Sequence, residues 1–187
     1  MKSILLTGGA RSGKSHFAQE LARKSGKKVL FVATAEAGDE EMRQRIKAHQ
    51  ASRPAGWGTL EVPSDVGQQI LKKGGGAEVI IVDCITMLVV NVFGRYADYL
   101  AGTVEAPTAE KEVIREIESL ISCLKRSQAD FLLVTNEVGL GLVPANPIDR
   151  LYRDLLGKAN RMLAEQVDEV YLMVAGLPVK VKPAAAR

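Results

Sequence analysis

Gly8-Gly9-Ala10-Arg11-Ser12-Gly13-Lys14-Ser15, entered from the apolar run Ile4-Leu5-Leu6, decides the fold of this chain. The stretch fits G-x-x-x-x-G-K-[ST] at every fixed position, and its context is right: an apolar strand before it, an amphipathic helix after it. The chemistry requires these residue types. Glycines let the backbone turn tightly and aim its N–H groups at anionic oxygens. The helix that follows adds the positive end of its dipole. Lys14 reaches the β- and γ-phosphates of a nucleotide, and the Ser15 hydroxyl suits Mg²⁺.

Working outward, short Val/Ile/Leu runs alternate with amphipathic stretches. Strands are expected at residues 3–7, 28–33, 59–62, 79–83, 131–135, 169–174 and 179–182. Helices are expected at 13–24, 39–50, 66–73, 86–100, 110–127 and 148–166. Continuous apolar strands such as Val79-Ile80-Ile81-Val82 suit a sheet covered on both faces. Strands alternating with helices predict right-handed crossovers and a mostly parallel sheet. The last two strands, turning through Gly176-Leu177-Pro178, predict an antiparallel edge. Gly74-Gly75-Gly76 is too short to separate two domains, so one P-loop domain over residues 1–187 is expected, with a fraying tail at 183–187.

Composition narrows the function. The chain has 187 residues, 47% of them apolar and 25% charged, the balance of a globular protein. Its net charge of +3 comes without a long basic tract, which argues against nucleic acid as a partner. No apolar run approaches the ~20 residues of a membrane span, and the apolar start is too short for a secretory signal. Cys84 and Cys123 sit in apolar segments without metal-ligand spacing and read as buried reduced thiols. A cytoplasmic protein is expected.

A carboxylate is expected at the end of a buried strand near the phosphate loop, and Asp83 supplies it as a second holder of Mg²⁺. Of the two histidines, His16 reads as a helix-face residue. His49 closes a helix that Pro54 terminates, with Arg43, Arg45, Lys47 and Arg53 around it and Trp57 eight residues on. By spacing alone, Met42, Ile46 and His49 share a face, which suits a partly buried histidine. The cationic surroundings suit a phosphate site, where a neutral imidazole is a competent nucleophile. Asn136-Glu137-Val138-Gly139 follows a buried strand, where ligand sites of α/β folds gather. There Glu137 reads either as a turn residue or as a group that positions a substrate hydroxyl or Mg²⁺.

Three segments together carry a resemblance: the loop of residues 8–15; His49-x-x-x-Arg53-Pro54-x-x-Trp57-x-Thr59-x-Glu61; and Val134-Thr135-Asn136-Glu137-Val138-Gly139-x-Gly141-x-Val143-Pro144. In order and spacing, over about residues 4–182, they resemble the bifunctional adenosylcobinamide kinase/adenosylcobinamide-phosphate guanylyltransferase family of cobalamin assembly. The resemblance implies a RecA-like P-loop fold and a homotrimer. It implies a kinase step on the aminopropanol hydroxyl of adenosylcobinamide, with ATP or GTP as donor. GMP transfer from GTP then follows, through a guanylyl group carried on His49. By the same match Ala33, Thr34 and Ala35 form a nucleotide-contacting turn. Ser52, Arg53, Pro54 and Glu61 are further GTP contacts, Glu61 accepting from guanine N–H groups. Asp83 stands where the family can carry glutamate, and Ala48 stands where some members have a second histidine.

Overall fold

In the computed structural model, each apolar run becomes a strand and each amphipathic stretch a helix. The structure describes residues 1–38, 40–51 and 53–183, the side chains of residues 41, 42, 45 and 49 excepted. In chain order the elements are β1 (Ser3–Gly8), α1 (Lys14–Ser25), β2 (Val29–Ala33), α2 (Glu40–Ala51), β3 (Gly58–Glu61), α3 (Val66–Lys73), β4 (Val79–Asp83) and α4 (Ile85–Phe93). They continue with β5 (Ala97–Asp98), β6 (Thr103–Val104), α5 (Ala106–Arg126), β7 (Asp130–Val134), α6 (Pro147–Gln166), β8 (Glu169–Val174) and β9 (Leu177–Lys182).

Among the described residues, seven strands form one sheet in the order β3-β2-β4-β7-β1-β8-β9, and β5 with β6 forms a separate small ribbon. Every pairing in the large sheet is parallel except β8 with β9. The expected mostly parallel sheet with an antiparallel edge is therefore the architecture. Strand side chains alternate between faces, and the core divides accordingly. Leu30, Val32, Ile80, Val82, Phe131 and Leu133 pack with residues of α3, α4, α5 and α6. Val29, Phe31, Val79, Ile81, Leu132 and Val134 pack with Ala18 and Ala22 of α1 on the other face.

Local chemistry explains the helix ends. Gly26 stops α1 in a left-handed conformation, its N–H returning to Arg23. Pro147 opens α6, and the side chain of Asn146 caps it by accepting from the Ile148 N–H at 2.8 Å. Two expectations need correction. The helix expected at 86–100 ends at Phe93, where the Gly94 N–H reaches the Val90 carbonyl at 2.8 Å. Beyond it the chain forms the β5–β6 ribbon, turned by Asp98, whose carboxylate accepts from the Leu100 and Ala101 N–H groups. Leu100 is fully exposed, so its apolar character misled the periodicity. The helix expected from residue 110 starts at Ala106, because Pro107 suits a first turn. Of the expected frayed tail, residues 184–187 lie outside the described residues.

Helix α3 has no side-chain cap of its own. Glu116, buried on α5, supplies one: its two carboxylate oxygens accept from the Asp65 and Val66 N–H groups at 2.8 and 2.9 Å. Glu116→Ala leaves both donors without this partner and is expected to cost about 2 kcal/mol. Burial, outweighing those two hydrogen bonds, lifts the Glu116 carboxyl above its ordinary value. The folded state then holds the proton more tightly than the unfolded state. The stability Glu116 contributes is thus greatest below the ordinary glutamate range and declines as pH rises through the raised folded value. Urea unfolding of both proteins from pH 4 to 8 checks this: the wild-type margin should narrow with rising pH.

Candidate functional site

Parallel strands bring their carboxyl ends to one edge, and the register aligns the chemistry there. Ala33 pairs with Glu61 on one side and Asp83 on the other, and Asp83 pairs with Val134. Leu6, two residues before the phosphate loop, also pairs with Val134. A cavity of about 790 Å³ opens over this edge. Its wall includes Ala10, Arg11, Ser12, Gly13, Lys14 and Ser15 from the loop, Ala33, Ala35, Glu61 and Asp83 from at or just beyond the strand ends, and Arg53 from the turn after α2. A cleft of about 320 Å³ shares Arg53 and Glu61 with it and adds Gln50, Pro54 and Trp57.

The loop is held from within. Lys14 is buried, and its Nζ donates to the carbonyls of Gly8 at 3.0 Å and Gly9 at 2.6 Å. Burial pushes this ammonium below the usual lysine range, against the pull of the nearby Asp83 carboxylate. Gly8, at φ 144°, has no room for a side chain: a Cβ there would lie 2.5 Å from the Met173 carbonyl oxygen. Arg11 takes a left-handed φ of 57° within the turn.

Arg53 provides a second cation. Its guanidinium lies over the Phe31 ring at 4.2 Å from the centroid and 4.0 Å from the Glu61 carboxylate. Its Nε is buried with no hydrogen-bond partner among the described residues. Burial lowers its pKa, opposed by Glu61 and Asp83. Gln50 donates to the same Glu61 oxygen at 2.7 Å, which ties the last turn of α2 to the end of β3. Cys84 is a neutral thiol whose pKa burial pushes up to about 12, and Cys123 is likewise free. Cys123 is buried as expected, whereas Cys84 is half-buried at the cavity wall.

The expected site residues do not all meet the cavity in the same way. Thr34 is fully buried and turned into the protein: its hydroxyl donates to the Cys84 carbonyl at 2.6 Å and accepts from the Cys84 N–H at 2.9 Å. Ala33 and Ala35 on either side of it line the cavity. Pro54 faces the smaller cleft, while Gly8 and Gly9 supply the carbonyls that Lys14 grips. His16 is exposed at the cavity wall. Residue 49 lies in the last turn of α2, whose Ile46 and Ala48 also line the cavity. The His49 side chain and Ser52 lie outside what the structure describes. Glu137 takes the turn role, its carboxylate accepting from the Gly139 N–H at 2.7 Å.

Phe31 and Met87, whose apolar side chains carry no sequence signal of a site, line the cavity with Asn136 from the segment after β7, and Asn160 supports it from α6. Asn160 donates to the Asn136 carbonyl at 3.0 Å and accepts from the Thr135 hydroxyl at 2.7 Å, fixing the turn after β7. An asparagine within a long amphipathic helix carries no sequence signal of such a contact. Ser15 and Asp83 share the cavity wall, a hydroxyl and a carboxylate of the kind that hold Mg²⁺ alongside phosphate oxygens and water. Among the described residues no group of three or more His, Cys, Asp or Glu residues forms a protein-only metal site. Nor is any described helix long and apolar enough to cross a membrane.

The bifunctional adenosylcobalamin biosynthesis protein CobU of Escherichia coli (strain K12) is 39% identical over 180 residues, covering 96% of this chain and 99% of its own. The bifunctional adenosylcobalamin biosynthesis protein CobP of Pseudomonas aeruginosa is 38% identical over 178 residues, covering 95% and 96%. Among solved structures, the RadB recombinase aligns over 91% of this chain and 73% of its own, with 16% identity and a TM-score of 0.49. Residues 4–181 match the family described as cobinamide kinase / cobinamide phosphate guanyltransferase, and the chain belongs to that family.

Proposed function

We propose that this protein is a bifunctional transferase that phosphorylates adenosylcobinamide and then converts the product to adenosylcobinamide-GDP with GTP. The observation that carries the reading is the convergence of Lys14, Ser15, Arg53 and Asp83 on one cavity, with the last turn of α2 along its wall. Family membership supplies the reaction class.

In the kinase step the aminopropanol hydroxyl attacks the γ-phosphorus of ATP or GTP. An O–P bond forms, the bond to the nucleoside diphosphate breaks, and the hydroxyl proton is released. The loop amides and Lys14 bind the triphosphate and offset the charge that develops on the departing oxygens. Ser15 and Asp83 would hold Mg²⁺, which supplies further charge neutralisation between the phosphates when bound. In the transferase step a neutral ring nitrogen of His49 attacks the α-phosphorus of GTP. A P–N bond forms as pyrophosphate leaves, and the other ring nitrogen keeps its proton. A phosphate oxygen of adenosylcobinamide phosphate then attacks the same phosphorus, the P–N bond breaks and His49 returns to its neutral form. Ala33, Ala35, Ser52, Arg53, Pro54 and Glu61 contact the nucleotide. Arg53 faces phosphate with its buried guanidinium, and the Glu61 carboxylate faces guanine N–H groups. The protein acts as a homotrimer on a soluble corrinoid and needs no nucleic acid.

Product labelling tests the reading. Adenosylcobinamide incubated with the protein and GTP should acquire the γ-label first and the α-label second, resolved by chromatography and mass. Transfer of γ-label alone, with α-label never reaching the corrinoid, would reduce the protein to a small-molecule kinase.

A further inference from the structure

We propose that Gly176, at the tip of the β8–β9 hairpin, is a positioning residue for the phosphate loop: its N–H holds the Ser12 carbonyl and thereby aims the Gly13 N–H at the bound triphosphate. The inference rests on the reading of residues 8–15 as a triphosphate site. The hairpin does not line the cavity, yet it touches the loop from behind. The Gly176 N–H donates to the Ser12 carbonyl at 3.1 Å. A Cβ on Gly13 would stand 3.2 Å from the Gly176 Cα. Ala175 and Gly176 have φ of 50° and 84°, the paired left-handed residues of a tight two-residue hairpin turn.

Peptide geometry turns this contact into a function. The Ser12–Gly13 peptide is one rigid plane in which the carbonyl and the following N–H point in opposite directions. Gripping the Ser12 carbonyl on the hairpin side directs the Gly13 N–H to the other side, where Gly13 lines the cavity. The grip is anchored at its base as well. Strand β8 pairs with β1 in a register that sets Met173 against Gly8, so both glycines of the loop's fixed pattern lie against the hairpin. Gly8 and Gly13 are therefore needed twice: for the turn around phosphate, and for the close approach of β8 and the hairpin tip. A Cβ on Gly176 itself would meet nothing within 4 Å, so its requirement is conformational and not steric.

The test removes one hydrogen. Glycolic acid placed at position 176 by suppressor-tRNA translation replaces the N–H with an ester oxygen and leaves the shape unchanged. Binding of a non-hydrolysable GTP analogue should weaken about tenfold, roughly what one misaimed donor to a charged group is worth. The ligand-induced shift of the Gly13 amide in 15N–1H spectra should shrink with it. Gly176→Asn keeps the donor and tolerates positive φ, and should bind as wild type; Gly176→Val strains the turn and should follow the ester. Val179→Thr, on the exposed outer strand, controls for general effects on the hairpin. An ester variant with wild-type affinity and an undiminished Gly13 shift would overturn the inference, as would an Asn variant as weak as the ester. A wild-type protein whose loop amides do not respond to the analogue at all would instead remove the triphosphate reading, and this inference with it.

Discussion

Lys14→Ala should lower kcat/KM for both the kinase and the guanylyl-transfer steps by about 10²–10³-fold, the usual loss when one preorganised donor to a developing anion is removed. In the proposed mechanism one side chain serves both reactions, since the loop would hold the departing phosphate oxygens of the nucleoside diphosphate in one and of pyrophosphate in the other. Lys14→Arg should not restore activity. The loop fits a single ammonium between the Gly8 and Gly9 carbonyls, and a planar guanidinium does not reproduce that contact. Steady-state kinetics with each substrate pair, beside circular dichroism to confirm folding, provides the check. Equal activity of Lys14→Ala in either step would show that the step does not use this loop.

Gly67→Val should destabilise the protein by roughly 3–4 kcal/mol through helix packing alone. Helix α3 lies against α5 so closely that a Cβ on Gly67 would fall 2.4 Å from the Ser119 carbonyl oxygen and 2.7 Å from its carbon. Both contacts are backbone, so no side-chain rotation relieves them. Gly67→Ala isolates the balance of effects. Alanine gains about 1 kcal/mol of helix propensity over glycine. Overpacking a close contact costs typically 1–3 kcal/mol. The clash with backbone atoms should win, leaving a net loss of up to about 2 kcal/mol. Each kcal/mol lowers Tm by about 2–4 °C for a chain of this size, so the valine variant should melt about 10 °C lower. An alanine variant more stable than wild type would mean the two helices part at little cost.

Much of this architecture was legible because the strands of a covered parallel sheet are unusually plain in sequence. Val79-Ile80-Ile81-Val82 and Phe131-Leu132-Leu133-Val134 are buried on both faces and read as strands without help from periodicity. The loop at residues 8–15 and the strand-end Asp83 were readable as neighbours because each follows or ends an apolar strand of a parallel sheet, whose carboxyl ends share one edge. The β5–β6 ribbon was not. Two-residue strands leave too little pattern, and the exposed Leu100 mimics a helix-face residue. The inward turn of Thr34 was hidden for a different reason. It depends on where the Cys84 backbone sits, fifty residues away, and only the register of β2 with β4 brings them together. The close approaches at Gly13–Gly176 and Gly67–Ser119 are likewise products of topology. Glycine in sequence signals freedom, and only packing shows where that freedom is required.

The central claim is that His49 carries GMP between GTP and the corrinoid. Incubating the protein with Mg²⁺ and GTP labelled at the α-phosphate, then denaturing it, tests the claim directly when run beside His49→Ala. The account predicts a protein-bound GMP, labile in acid and stable in alkali as a phosphoramidate is, on the wild type and absent from His49→Ala. It also predicts that His49→Ala still passes the γ-phosphate to adenosylcobinamide. A wild type that forms no adduct while turning over, or an adduct that persists in His49→Ala, would contradict it.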